Sequence, residues 1–77
     1  MKKLILYTTD GCHLCEYAHQ MLQPLEASHQ ITLQLIDIAT DKNLIDKYGV
    51  HIPVIKNPIT NDELNWPFTT TDALEIL

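Results

Sequence analysis

Cys12 and Cys15 stand between an apolar run, Leu4-Ile5-Leu6-Tyr7, and a stretch whose apolar residues recur at helical spacing. This junction limits the folds open to the chain more than any other feature. The run reads as a buried strand from Lys3 to Thr8, and Leu14, Ala18, Met21, Leu22 and Leu25 predict a helix from about Cys12 to Ala27. A thiol pair is thereby set at the first turn of a helix that leaves a strand. Unpaired N–H groups of such a turn act as a partial positive charge, which favours a thiolate. Residues three apart there lie roughly 5–6 Å from one another, within the span of a disulfide. The pair can close and reopen with little movement of the backbone.

The remaining elements follow from the same kind of pattern. Pro24 either kinks the first helix or ends it at Gln23. Ile31, Leu33 and Leu35, followed by Ile36 and Ile38, predict a second strand, joined to the first by a right-handed parallel crossover. Thr40 or Asp41 caps a second helix with Leu44, Ile45 and Tyr48 on one face, and Gly49 is expected to end it in a left-handed conformation. Val50 to Lys56 reads as a third strand, Asn57 to Asp62 as a turn, and Glu63 to Phe68 as an edge strand. Thr69 with Asp72 forms a capping-box pattern that opens a short last helix through Ala73, Leu74 and Leu77. The predicted order is βαβαββα in one domain over residues 1–77. At this length stability must come from packing, since a disulfide across so short a loop restrains the unfolded chain little.

Charge and composition exclude several functions. Ten acidic residues against five lysines, without arginine, give a net charge of -5. Phosphate recognition calls for a basic face, so nucleic acid is not an expected partner. Met1 to Tyr7 superficially resembles a signal peptide, but its apolar stretch ends in Thr8-Thr9-Asp10-Gly11 with no cleavage site of small residues. No run approaches the ~20 apolar residues of a membrane span. The expectation is a soluble, cytoplasmic monomer.

Cys12, Cys15 and His19 fall near one helical face, with His13, His29 and His51 also available, so a thiolate and imidazole metal site is an alternative reading. It lacks a second Cys-x-x-Cys and an obvious fourth ligand. Haem attachment is ruled out because Glu16 follows Cys15. A non-catalytic adaptor is the other alternative, although both cysteines are retained.

Leu6-Tyr7, Gly11 to Glu16, Tyr48 to Val54 and Glu63 to Phe68 together resemble the small glutaredoxin-like branch of the thioredoxin superfamily. The pattern is Leu-Tyr, then Gly/Asp-Cys-His-Leu-Cys-Glu/Asp, then Tyr-Gly-x-x-Ile/Val-Pro-Val, then Glu-Leu-x-Trp-Pro-Phe. This resemblance implies an α/β thioredoxin-like (glutaredoxin) fold with a four-stranded mixed sheet flanked by three helices. It also implies a thiol–disulfide oxidoreductase, with Cys12 as the attacking thiol and Cys15 as the resolving one. His13 would tune the acidity of Cys12, and Ile52 and a cis Pro53 would face the thiols. Ile52 would then offer its backbone N–H and C=O to an extended substrate. Trp66 would line the groove or fill the core, while Tyr7 and Tyr17 read most simply as packing residues and Asp37 as the end of a strand. No bound cofactor or metal is implied beyond the Cys12–Cys15 disulfide. The partners would be a protein disulfide and an upstream donor, either thioredoxin reductase or glutathione. Ordinary glutaredoxins carry Pro-Tyr between the cysteines, Thr-Val before the proline and a later Gly-Gly-x-Asp segment that holds glutathione. Here His13-Leu14, Ile52 and Asn65-Trp66-Pro67-Phe68 take those places. Asp10 would also repel a glutathione carboxylate, which argues against tight glutathione binding.

Overall fold

A computed structural model describes residues 2–77. Strand β1 (Lys2–Thr8) leads to helix α1 (His13–Ser28), strand β2 (Ile31–Asp37), helix α2 (Lys42–Tyr48), strands β3 (Val54–Lys56) and β4 (Glu63–Asn65), and helix α3 (Thr70–Glu75). The sheet runs β2-β1-β3-β4, with β1 and β2 parallel and the other neighbours antiparallel. This is the predicted α/β thioredoxin-like architecture.

Alternation along β1 explains why its apolar run is continuous. Leu4 and Leu6 point into one core with Ala18, Leu22 and Leu25 of α1, Ile55 of β3 and Phe68 and Ala73 near α3. Ile5 and Tyr7 point the other way, toward Ile38, Tyr48 and Val54. Each fully buried leucine here contributes about 1.5–3 kcal/mol relative to exposure. Both faces of the central strand are covered, as its composition requires.

Several boundaries differ from those expected. Helix α1 runs unbroken through Pro24, which is exposed, so water can reach the carbonyl that loses its partner there. Strand β2 ends at Asp37, and Ile38–Thr40 forms a single 3-10 turn capped by Asp37, whose Oδ1 accepts from the Ala39 N–H at 2.9 Å. At the start of α2 the cap is Asp41, accepting from the amides of Asn43 and Leu44. Its Ile45 remains half-exposed rather than joining Leu44 and Tyr48 in the core. Gly49 is right-handed (φ -51°), contrary to expectation; a Cβ there would sit 2.5 Å from the Ile45 carbonyl oxygen, so the glycine answers a close approach. Residues 50–53 are not strand, because His51 and Ile52 both donate their N–H groups to the Tyr48 carbonyl instead of to a neighbouring strand. The fourth strand is likewise short, stopping before Trp66. The capping box of Thr69 and Asp72 forms in both directions.

Beyond the strands, two side chains complete the backbone accounting. Glu26 on α1 accepts the Leu33 N–H of β2 at 3.1 Å. Asn57, buried at the β3–β4 turn, accepts from the amides of Ile59 and Thr60 and donates through Nδ2 to the Ile76 carbonyl at 2.6 Å. The turn and the end of α3 are therefore held by one amide.

Candidate active site

The carboxyl end of β1 is where the sheet's direction of growth reverses, with β2 added on one side and β3 on the other. In open α/β sheets ligands bind at such ends. Register defines a row of residues across it. Thr8 pairs with Asp37, and one step beyond the Tyr7–Val54 pair it faces Pro53. Pro53 in turn faces Trp66, whose N–H donates to the Pro53 carbonyl at 3.1 Å. The chain leaving Thr8 must turn sharply to begin α1, and Gly11 supplies the turn with φ +78°, a conformation that costs glycine nothing.

Cys12 is the N-cap of α1. Its Sγ accepts the N–H of Cys15 at 3.2 Å, the bond a serine or aspartate cap would make. The two cysteines form a disulfide with Cα atoms 5.2 Å apart, inside the usual range. Their surroundings differ. Cys15 is 2% exposed, whereas Cys12 is only partly covered. His13, at the first helical position, is open to solvent with Nδ1 3.5 Å from a Glu16 carboxylate oxygen. The positive end of the helix therefore meets one flanking imidazole and one carboxylate.

Pro53 is fully buried, and the Ile52–Pro53 and Trp66–Pro67 peptides are both cis. One atom departs from the expected role of Ile52. Its N–H is already donated to the Tyr48 carbonyl at 3.1 Å, so the group left for an extended segment is its C=O. Trp66 is half-buried and packs edge-on to Phe68 against the α1–α3 core, with ring centroids 5.2 Å apart. Tyr7 is a packing residue, but Tyr17 is not: it is 62% exposed. Cys12, Cys15 and His19 are the residues expected for a metal; among the described residues no group of three or more His, Cys, Asp or Glu side chains is arranged to hold an ion.

Tyr48 escaped the sequence reading as a site residue. Its ring stacks on Tyr7 with centroids 4.2 Å apart, and Lys47 Nζ lies 5.1 Å from the ring centre. Its hydroxyl donates to the Glu63 carboxylate of β4, and its carbonyl anchors Ile52. Burial, followed by the bond to Glu63, pushes the Tyr48 phenol well above its ordinary range. The Tyr and Glu at these positions lie in two of the quoted motifs, but nothing in their spacing indicates that they meet.

A second opening lies behind the disulfide. This pocket of about 220 Å³ is bounded by the β1–α1 loop, the start of α1 and the end of β2. Cys15, His19, Asp10, Glu16 and Asp37 are among its walls; Cys12 is not.

The profile described as "Glutaredoxin-like domain (DUF836)" matches residues 3–75. The chain belongs to this family. Among solved structures, this glutaredoxin-like protein is similar to the X-ray structure of protein XcR50 from X. campestris, at 34% identity over 91% of this chain and 88% of that one, with a TM-score of 0.76. It is also similar to Ne2328 from Nitrosomonas europaea, at 27% identity over 99% and 91% of the two chains, with a TM-score of 0.83. Trichomonas vaginalis thioredoxin is similar at 26% identity over 96% of this chain and 71% of that one, with a TM-score of 0.53. Among curated proteins none matches. The glutaredoxin-like fold and the close Cys12–Cys15 pair point to a redox role. No helix among the described residues is long and apolar enough to cross a membrane.

Proposed function

We propose that the protein is a thiol–disulfide oxidoreductase acting as a cytoplasmic monomer on disulfides of other polypeptides. The observation that carries this reading is the asymmetry of the pair: a partly exposed Cys12 capping a helix, bonded to a buried Cys15 one turn inside. In the reduced protein the first-turn amides that now meet Cys12 Sγ would favour its thiolate. That thiolate attacks a substrate disulfide, forming a mixed disulfide and releasing one thiol. Cys15 then attacks Cys12 Sγ, releasing the second thiol and closing the Cys12–Cys15 bond. The Ile52 carbonyl and the Pro53 turn, across from Thr8, would receive the extended chain of the substrate, with Trp66 closing the end of the row. His13 places an ionisable imidazole beside the nucleophile, and Glu16 offsets its charge.

An upstream donor must return the disulfide to the dithiol. We assign this to thioredoxin reductase rather than glutathione, because Asp10 and Asn65-Trp66-Pro67-Phe68 replace the elements that hold glutathione in ordinary glutaredoxins. The test is reduction of the oxidised protein by NADPH with thioredoxin reductase, compared with glutathione and glutathione reductase. Faster reduction by the first system is expected. Preference for glutathione would overturn the donor assignment, and absence of any disulfide reduction by the dithiol would overturn the function.

A further inference from the structure

The disulfide has two sides, and they are built differently. Cys12 is partly exposed, whereas Cys15 is the member of the pair that borders the pocket between α1 and the end of β2. This pocket therefore does not lead a substrate to the attacking sulfur. It opens instead beside the resolving residue.

Resolution needs the Cys15 thiol to lose a proton, and burial makes that harder by disfavouring the anion. The sheet face beneath α1 offers no acceptor: Leu4, Leu6, Leu33 and Ile55 line it. The pocket does supply titratable groups. Asp10 from the loop, Glu16 from α1 and Asp37 from β2 are carboxylates, a class less well matched than imidazole to proton transfer near neutrality. Glu16 is moreover engaged by His13, and Asp37 by the Ala39 amide. His19 is the remaining titratable side chain, and imidazole changes charge in this range. It follows Cys15 by four residues on α1, which places the two on one helical face. Among the described residues it makes no hydrogen bond or ion pair that would commit its ring.

We propose that His19 accepts the proton of Cys15 through this pocket, directly or by one water, and so governs the resolving step. The inference rests on the oxidoreductase reading above. The Cys15 thiol gives its proton to the imidazole, and the thiolate attacks Cys12 Sγ. The bond from Cys12 to the substrate sulfur breaks, and the departing thiolate takes up a proton, restoring neutral His19. The substrate disulfide is the oxidant, so no further reagent is needed.

Rapid mixing of reduced protein with one equivalent of dithionitrobenzoate separates the steps, since attack by Cys12 releases one coloured thiolate and closure by Cys15 releases the second. In the wild type, the second phase should rise with pH through the imidazole range. In His19→Gln and His19→Asn, it should slow roughly tenfold or more at pH 7, recover in alkaline solution as the thiol ionises unaided, and be accelerated at pH 7 by added imidazole. Equal second-phase rates and pH dependence in wild type and both variants would overturn the role of His19. A wild-type protein that releases only one thiolate at every pH would instead overturn the oxidoreductase reading itself.

Discussion

The backbone N–H of Cys15 points at the sulfur of Cys12, 3.2 Å away, so the resolving residue helps to cap the helix through its attacking neighbour. Serine makes the same capping bond. Cys12→Ser should therefore fold with the stability of the reduced wild type while disulfide reduction falls to background. Cys15→Ser should keep the first step and accumulate a mixed disulfide, detectable by intact mass. Residual turnover in Cys12→Ser would show that Cys15 is the true nucleophile.

The exposed His13–Glu16 pair sets opposite charges beside Cys12. Removing the imidazole (His13→Ala) should raise the pH at which the Cys12 thiol ionises in the reduced protein, and removing the carboxylate (Glu16→Gln) should lower it. Each shift should be about half a pH unit or less, because solvent and salt screen exposed charges. Thiolate absorbance followed against pH measures both. Shifts of the same sign would refute an action of the pair through charge.

Folding holds the Tyr48 phenol above its ordinary value of 10.0. The folded protein therefore keeps a proton that the unfolded chain gives up, and this contribution is whole below about pH 10 and declines as pH rises above it. Tyr48→Phe should lose about 1–2 kcal/mol near neutrality through the missing bond to Glu63, and its stability should fall less steeply above pH 10. Urea unfolding at pH 7 to 11 supplies the comparison. Parallel curves for the two proteins would refute the assignment.

Asn57 is the buried polar side chain on which the β3–β4 turn and the last helix both depend. Asn57→Ala strands two turn amides and the Ile76 carbonyl, and should cost about 2–4 kcal/mol. Asn57→Asp retains the acceptor but not the donor and should fall between the two. Denaturant midpoints would rank the three.

Legibility in the sequence followed the range of the interactions. The thiol pair, the doubly buried β1 and the Thr69–Asp72 capping box are local patterns, and each has its counterpart in the fold. The stretch Val50–Pro53 reads as strand by composition, yet its amides turn back to Tyr48, a competition that periodicity does not record. Gly49 reads as a torsional requirement in the sequence, whereas in the fold it answers a steric demand from Ile45. Contacts across elements were the least visible: Tyr48 with Glu63, Asn57 with Ile76, and the placement of Cys15 and His19 on one pocket all require the chain to be folded first.

Glu26 bears on more than the accounting of one amide. By holding the Leu33 N–H, it occupies one donor of β2, the longer of the sheet's two border strands. The opposite border, β4, is three residues long and is followed at once by Trp66-Pro67. An occupied amide on one border and a short strand on the other leave a neighbouring copy less backbone on which to template itself, a safeguard against ribbon-like aggregation. Glu26→Ala would free that amide while leaving the thiols untouched.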